Sequence, residues 1–375
     1  LHQELIRFNR LIVIVRASMS TSSPTRSPEA KTYPLEAVQA SGGASLLMPF
    51  SLRVGGTQSD YSQARFGPFA PELPGSRAIN WGCNYTMSQF QHLMSFASSL
   101  DDDVNMHVVF GLNSLTREGG NVQGKWNGIN AKALVSLPCL HNMSWELGNE
   151  PVLWSLQPFA RNISAAEHAR DFDVLRHMVS SSHQVVGPDF FVQCLPQYSD
   201  CNMEYLDSFL RGKPALDVVT FHLYPWLGTV NEPMTPTASS MMNATLLNQA
   251  GIAARAVVSA VAKAGMISVP VWMGEGSPDW KSERSALGHN FTFEFAWLDM
   301  LGQFAESGVQ RVYRQSLNSA VGGETTLRMP PAYFMSLLWK ILVTKFGSNV
   351  DVYRVQISDN TFIRGYSQGN IVILL

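Results

Sequence analysis

The feature that most constrains the fold is a regular alternation of strand-like and helix-like segments over residues 35–345. Short apolar runs predict strands at Ser51 to Val54, Met106 to Leu112, Met143 to Gly148, Gln184 to Gly187, Leu216 to Leu223, Ser268 to Gly274 and Val309 to Gln315. Apolar residues at three- and four-residue spacing predict helices at Met87 to Ser99, Ala131 to Leu137, Ala165 to Ser180, Met203 to Leu210, Leu246 to Ala264, Phe291 to Glu306 and Ala332 to Thr344. This alternation predicts an α/β fold with either a parallel barrel or a doubly wound sheet.

Two of the predicted strands end in carboxylate-bearing segments that are far apart in sequence. Trp-Glu-Leu-Gly-Asn-Glu-Pro, from Trp145, contains Glu146 and Glu150, and Val-Trp-Met-Gly-Glu-Gly-Ser, from Val271, contains Glu275. Cleavage of a glycosidic bond needs a protonated acid at the leaving oxygen and an ionised carboxylate at the anomeric carbon. The pattern therefore indicates glycoside hydrolysis, with structural hydrogen bonding as the alternative role of each Glu. A retaining reaction predicts carboxyl groups about 5 to 5.5 Å apart, and an inverting one about 9 Å.

Both strings resemble the acid/base and nucleophile segments of the heparanase family, glycoside hydrolase family 79. Five other segments resemble the family in the same order: Leu52 to Thr57, Phe110 to Leu115, Gly187 to Asp189, Val219 to His222 and Tyr313 to Gln315. The resemblance runs from about Pro34 onward and implies a (β/α)8 TIM barrel over residues 35–345. Predicted strands at Val350 to Ile357, Phe362 to Tyr366 and Ile371 to Leu374 resemble the start of the family's C-terminal β-sandwich, which would be incomplete over residues 346–375. Residues 1–34 are left as an unassigned segment and linker.

The resemblance implies a retaining hydrolase that cleaves β-glucuronosyl linkages in glycans or proteoglycans. In that mechanism Glu150 is the acid/base, Glu275 is the nucleophile and Asn149 holds the sugar 2-hydroxyl, whereas Glu146 is expected to be structural. The expected partner is an oligo- or polysaccharide that contains uronic acid, and no metal or organic cofactor is expected.

Five further residues are candidate substrate-binding groups at the ends of predicted strands. His222 and Tyr224 are two apart on one strand and so share a face, and in this clan a Tyr at that place often hydrogen-bonds the nucleophile. A satisfied core histidine is the alternative for His222. Arg53, Thr57 and Gln315 resemble family positions on the substrate side, with hydrogen bonding inside the barrel as their alternative role.

The sequence departs from the family pattern at several places. No Asp precedes Arg53 where the first barrel strand of the family ends in one, so that strand is diverged or absent. Phe190 to Asp200 and Pro225 to Ser240 contain no Lys or Arg, although animal heparanases grip sulfated chains with basic loops. We therefore expect weakly charged chains or terminal uronosides as substrates. A catalytically inactive carbohydrate-binding homologue is the main alternative, and a secreted protein-interaction barrel is a third.

Composition adds limits on compartment and partners. The formal charge of −2, from 27 basic and 29 acidic residues, gives no global attraction to nucleic acid or anionic membranes, and no apolar run was expected to span a bilayer. The chain begins with Leu1, so any targeting signal is expected to lie upstream. A secretory route, extracellular or lysosomal, is favoured by five glycosylation sequons, which begin at Asn84, Asn142, Asn162, Asn243 and Asn290.

The four cysteines lack the spacing of a metal site and are interpreted as structural. Two disulfides would allow three connectivities, and Cys194 with Cys201 is the easiest local pair.

Overall fold

The computed structural model describes residues 51–61, 63–65, 84–87, 90–91, 93–95, 106–118, 124–137, 142–156, 163–194, 201–226, 236–280, 287, 290–315, 331–344, 351–358, 361–368 and 371–374. Within these ranges, seven strands form one sheet, and each is followed across the sheet by the next of them in sequence. The strands are β1 (Ser51–Val54), β4 (His107–Leu112), β5 (Met143–Leu147), β6 (Gln184–Phe191), β7 (Val218–Leu223), β8 (Val271–Gly276) and β9 (Val309–Arg314). A two-stranded parallel pair, β2 (Gln63–Arg65) and β3 (Asn84–Thr86), was not predicted from the sequence.

The chain divides into two compact units. The N-terminal unit comprises the described residues of Arg16–Phe190 and Tyr205–Val219, and in it β1, β4, β5 and β6 pair in parallel. Nearly every residue of these strands is buried, as expected for a parallel sheet covered on both faces. Described residues 87, 90–91 and 93–95 are helical, within the helix predicted at Met87 to Ser99. The other helices described in this unit are α1 (Ile129–Val135), α2 (Ala165–Met178) and α3 (Glu204–Arg211).

Helix α2 shows how local sequence sets these elements. Ser164 and Glu167 form a capping box at its first turn, which satisfies backbone N–H groups that the helix itself leaves unpaired. On its inner face Phe172 packs edge-on against Phe209 of α3. Both aromatic rings are fully buried, so α2 and α3 share an apolar contact that stabilises this unit.

The C-terminal unit comprises Phe191–Glu204 and the described residues of Thr220–Leu375. Strands β8 and β9 pair in parallel, and Arg314 of β9 makes a fully buried double ion pair with Glu294. The helices of this unit are α4 (Ala238–Met241), α5 (Ala244–Leu247), α6 (Gln249–Lys263), α7 (Phe291–Glu306) and α8 (Pro331–Thr344). Of the pairings that the sequence left open, the easiest local one, Cys194 with Cys201, is present as a disulfide in this unit.

Three antiparallel strands follow α8 in sequence: β10 (Asp351–Ser358), β11 (Thr361–Gln368) and β12 (Ile371–Leu374). They agree with the three strands predicted at the C-terminal end. Residues 1–34, which the sequence analysis left as an unassigned segment and linker, lie outside the described residues, and so does any strand that precedes β1.

The stretch Ala244–Lys263 has the length and composition of a membrane-spanning helix, with a mean hydropathy of 1.2. The sequence-based expectation that no apolar run spans a bilayer is not confirmed by this finding and stays a prediction. Much of α6 nevertheless packs into the protein, because Ala250, Ala253, Val257 and Val261 are buried. A core helix passes the same test, so the stretch is weak evidence for a membrane span.

Candidate active site

Glu150 lies three residues beyond the end of β5, in a turn with an unusual backbone. Gly148 and Glu150 both have positive φ angles, 82° and 47°. Glycine adopts that region freely, but a glutamate there costs on the order of 1 kcal/mol or more and needs support from its surroundings. The support comes from both sides, because Glu150 N donates to Asp189 O and Leu153 N donates to Glu150 O. The backbone of the predicted acid/base is therefore tightly fixed.

Arg53 connects three polar groups beneath this turn. Its Nε and Nη2 donate to the two carboxylate oxygens of Glu146, and Nη2 also donates to Asn149 Oδ1 and Asp189 Oδ2. Arg53 is 3% exposed, so these contacts are inside the protein. Glu146 behaves as the structural carboxylate that the sequence predicts. The contacts of Arg53 are those of a group that positions Glu146 and Asn149, and its predicted substrate-binding role stays a prediction.

Gly55, directly after β1, leaves room for this network. A Cβ on Gly55 would come within 2.9 Å of the Arg53 guanidinium and 3.0 Å of Glu146 Oε1. Burial raises the pKa of Glu146 well above its usual value, Arg53 opposes that shift and the nearby Asp189 adds to it.

Asp60 was not singled out from the sequence, yet it lies at the centre of a second buried network. Its carboxyl accepts hydrogen bonds from Ser114 Oγ, from Asn149 N and from Trp154 Nε1. Burial raises the pKa of Asp60 to about 8, although all three hydrogen bonds oppose the shift. Asp189 was recognised only as part of a Gly-Pro-Asp segment, and it contacts Arg53 and Glu150 as described above. The sequence around a single Asp does not show whether it forms buried hydrogen bonds to distant residues, so neither network could be predicted.

Glu275 is held by two side chains in the C-terminal unit. Tyr224 Oη donates to Glu275 Oε1 over 2.5 Å, and Gln315 Nε2 lies 3.4 Å from the same oxygen. Glu275 is 6% exposed and belongs to β8 itself, one residue beyond the end of the strand predicted at Ser268 to Gly274. The backbone extends the arrangement, since Gln315 N donates to Gly276 O. The predicted hydrogen bond between a Tyr and the predicted nucleophile is therefore present.

His222 and Thr57 complete the predicted set. His222 is fully buried on β7, and its carbonyl accepts a hydrogen bond from Val192 N. Thr57 begins a 3-10 turn at Thr57–Tyr61, directly after Gly56. Their substrate-binding roles stay predictions.

The predicted site residues therefore fall into two groups. Arg53, Asn149 and Glu150 lie together in the N-terminal unit, and Tyr224, Glu275 and Gln315 lie together in the C-terminal unit. Glu150 and Glu275 belong to different units, and the separation of about 5 to 5.5 Å expected between their carboxyl groups stays a prediction.

Comparison with known proteins gives three results. The sequence model of the family described as glycosyl hydrolase family 79, N-terminal domain, matches residues 45–302. Heparanase of Rattus norvegicus is 30% identical over 295 residues, which are 75% of this chain and 50% of that protein. The human protein named inactive heparanase-2 is 24% identical over 271 residues, which are 68% of this chain and 43% of that protein. The chain thus spans about half the length of the rat relative and less than half the length of the human one.

A solved structure extends the likeness to the fold. The 4-O-α-L-rhamnosyl-β-D-glucuronidase of Fusarium oxysporum 12S, determined with Rha-GlcA, superposes with a TM-score of 0.65. The match covers 99% of this chain and 78% of that chain, at 13% identity. At that identity the likeness establishes a shared fold and nothing about substrate.

Proposed function

Because the chain belongs to glycosyl hydrolase family 79, we propose that it is a retaining glycoside hydrolase that cleaves β-glucuronosyl linkages in glycans or proteoglycans. The observation that carries the proposal is the hydrogen bonding of Glu275. Its carboxyl group accepts a hydrogen bond from the Tyr224 hydroxyl, and the Gln315 carboxamide lies 3.4 Å from the same oxygen. Hydrogen bonds donated to a carboxylate favour the ionised form, which a glycosidase nucleophile needs.

The proposed reaction proceeds in two balanced steps. In the first, a Glu275 oxygen bonds to the anomeric carbon while Glu150 gives its proton to the glycosidic oxygen, which leaves as an alcohol. In the second, Glu150 removes a proton from water, the water oxygen bonds to the anomeric carbon and the ester to Glu275 breaks. Glu150 is partly exposed at the end of β5, which suits a group that exchanges protons with substrate and water.

Asn149 is proposed to bind the sugar 2-hydroxyl next to the nucleophile. Arg53 Nη2 donates to Asn149 Oδ1, which fixes the amide and assigns its Nδ2 as the donor toward a ligand. The backbone of Asn149 is held at the same time by Asp60 through its N–H group. A group that is fixed before substrate binds loses little entropy on binding, which is the benefit of preorganisation.

The architecture belongs to the same proposal. We assign residues 35–345 to a (β/α)8 barrel and residues 346–375 to part of a β-sandwich. The seven strands of the main sheet, the three antiparallel strands that follow it in sequence and the likeness to the fungal glucuronidase support this assignment.

The proposed substrates are weakly charged chains or terminal uronosides. A sulfated polysaccharide carries several anions per disaccharide and is bound through clustered Lys and Arg. The segments after β6 and β7 contain no Lys or Arg between Phe190 and Asp200 or between Pro225 and Ser240. Electrostatic attraction to heparan sulfate would therefore be weak.

A secretory location, extracellular or lysosomal, is also a proposal. It is supported by the five sequons, two of which start at exposed residues, Asn142 and Asn243. Expression in a mammalian secretory system followed by enzymatic deglycosylation tests it, because occupied sites give a loss of mass on a gel.

An activity screen tests the central proposal. The purified chain is assayed with aryl β-glucuronides, together with a Glu275→Gln variant that keeps the size of the side chain and removes the nucleophile. Hydrolysis by the wild type and its loss in the variant support the proposal. A folded wild-type protein that hydrolyses no β-glucuronide would instead support the inactive carbohydrate-binding alternative.

A further inference from the structure

Asp60 is a buried carboxyl that the proposed mechanism does not use. It is 1% exposed and lies on the 3-10 turn after β1, and its three hydrogen-bond donors come from the segments after β4 and β5. Burying a carboxyl is costly unless its oxygens are satisfied by good partners. A buried carboxyl at position 60 is therefore not explained by packing alone.

Two of the three donors, Asn149 N and Trp154 Nε1, hold Asn149, the residue that precedes Glu150. Asn149 N donates to Asp60 Oδ1, and the indole Nε1 of Trp154 donates both to Asp60 Oδ2 and to Asn149 O, each over 2.9 Å. Asp60 and Trp154 thus hold both the N–H and the C=O group of the same residue. Asp60 is 89 residues from Asn149 and 94 residues from Trp154 in sequence. These hydrogen bonds therefore hold the turn to a distant part of the chain and not only to its own neighbours.

The turn needs this restraint because its backbone is strained. Glu150 has a φ of 47°, and Gly148, two residues earlier, has a φ of 82°. A Cβ on Gly148 would come within 2.7 Å of the Trp154 ring and 2.8 Å of Ser114 Oγ, so the same donors pack directly on the turn. A non-glycine residue at positive φ persists only where the surroundings over-determine it, and such residues cluster at functional sites.

We propose that Asp60 is a positioning residue for the acid/base, which holds the Asn149 peptide and the Trp154 indole so that Glu150 is presented in its strained, productive backbone conformation. The inference rests on the proposed function, because it assigns Asp60 to the proton-transfer step of that reaction. Asp60 does not contact the reacting atoms and acts through Asn149 and Trp154.

The geometry requires an acceptor at both ends of the side chain. Ser114 Oγ and Asn149 N donate to Oδ1, whereas Trp154 Nε1 donates to Oδ2. An asparagine has one acceptor oxygen, so Asp60→Asn places an NH2 group against either the indole N–H or the pair of donors at the other end. The substitution keeps the shape of the side chain and removes half of the restraint.

The test compares two substrates that differ in their need for an acid. Phenyl β-glucuronide has a poor leaving group that must be protonated, whereas 2,4-dinitrophenyl β-glucuronide has a leaving group that departs without a proton. We expect Asp60→Asn and Trp154→Phe to lower kcat/KM for the phenyl substrate about tenfold or more and for the dinitrophenyl substrate by less than about threefold. A merely structural defect would lower both values together by reducing the amount of active enzyme.

Asp171→Asn is the matched control. Asp171 is another buried aspartate of the same unit, paired with Arg117, and it makes no contact with the turn at Glu150 among the described residues. It should lose stability without changing the ratio of the two kcat/KM values. Equal losses on both substrates in Asp60→Asn and Trp154→Phe, or no loss on either, would overturn the inference. Failure of the wild type on both substrates would instead contradict the proposed function itself.

Discussion

Tyr224 Oη donates a 2.5 Å hydrogen bond to Oε1 of Glu275, and this contact defines the orientation of the proposed nucleophile. Gln315 Nε2 approaches the same oxygen at 3.4 Å. Tyr224 follows β7, Glu275 is on β8 and Gln315 follows β9, so three neighbouring strands supply one carboxylate and its donors. Donors that are fixed before the reaction stabilise charge without the reorganisation that water would require.

Removing the tyrosine hydroxyl should slow the reaction without unfolding the protein. Tyr224→Phe deletes one donor to a carboxylate, and a hydrogen bond to a charged group is worth about 1.5 to 3 kcal/mol. We expect kcat/KM for aryl β-glucuronides to fall about 10- to 100-fold. Steady-state kinetics give the result, and circular dichroism checks the fold.

Tyr205→Phe is the control for that change. Tyr205 is a tyrosine of α3 whose hydroxyl contacts His168 Nδ1 at 3.2 Å in the other unit. Its removal should leave kcat/KM within about twofold of the wild-type value, since a lost neutral hydrogen bond away from the site affects stability alone. Equal activity of Tyr224→Phe and wild type would show that the hydroxyl does not assist the nucleophile.

If Glu150 is the acid/base, its removal should lower the rate of hydrolysis by an amount that depends on the leaving group of the substrate. Glu150→Ala removes the proton donor, so hydrolysis of phenyl β-glucuronide should fall by about 100- to 10,000-fold. With 2,4-dinitrophenyl β-glucuronide the glycosyl-enzyme should still form, and azide should restore turnover because it attacks without a general base. Burst kinetics and product analysis measure both effects.

Glu118→Ala serves as the control, because Glu118 is an exposed glutamate of the same unit. It should behave as the wild type on both substrates. Retention of full activity on the phenyl substrate by Glu150→Ala would exclude Glu150 as the acid.

The buried Asp60 predicts a pH dependence of stability. Burial raises its pKa to about 8 from 3.8, so between these pH values the folded protein holds a proton that the unfolded chain has released. Stability contributed by this group is therefore present below pH 4 and is lost as the pH rises to 8. Asp60→Asn does not titrate, so the difference in unfolding free energy between wild type and variant should be largest at and below pH 4 and should shrink steadily as the pH rises toward 8. Urea denaturation at several pH values measures it, and a difference that grows with pH would contradict the assignment.

The loop composition predicts the choice of substrate. With no Lys or Arg between Pro225 and Ser240, binding should depend little on ionic strength. We expect aryl β-glucuronides to be cleaved in preference to heparan sulfate, with only a modest effect of salt on KM. Preferential and strongly salt-sensitive cleavage of heparan sulfate would show that basic groups elsewhere bind the chain.

The main elements of the sheet could be predicted because their apolar runs are local signals. All seven predicted strands are present, and the helix Phe291–Glu306 has the predicted bounds. Errors arose where tertiary pairing overrides a local break. Gly187-Pro188-Asp189 is typical of a turn, yet β6 continues through it to Phe191. The single helix predicted from Leu246 to Ala264 is two helices in the structure, α5 and α6. The first begins at Ala244, because the side chain of Asn243 caps its N-terminus.

The candidate site was predictable only as far as its motifs reach. The Glu150 and Glu275 segments and the Tyr224 contact follow from family-like strings, and the Cys194–Cys201 bond follows from proximity in sequence. Asp60 could not be found this way, because its importance comes from a contact with Trp154, 94 residues away. Arg53 was assigned to the substrate side, whereas its described contacts are with Glu146, Asn149 and Asp189.

The central claim is that Glu275 attacks the anomeric carbon of a β-glucuronoside, and covalent trapping tests it most directly. A 2-deoxy-2-fluoro-β-glucuronosyl fluoride forms the ester rapidly and releases it slowly, since the fluorine at C2 destabilises both transition states and the fluoride leaves without an acid. Peptide mass spectrometry after incubation should find one glycosyl adduct, on Glu275, and none in Glu275→Gln. An adduct on another residue, or turnover of aryl β-glucuronides by wild type with inversion at the anomeric carbon and no adduct, would contradict the claim.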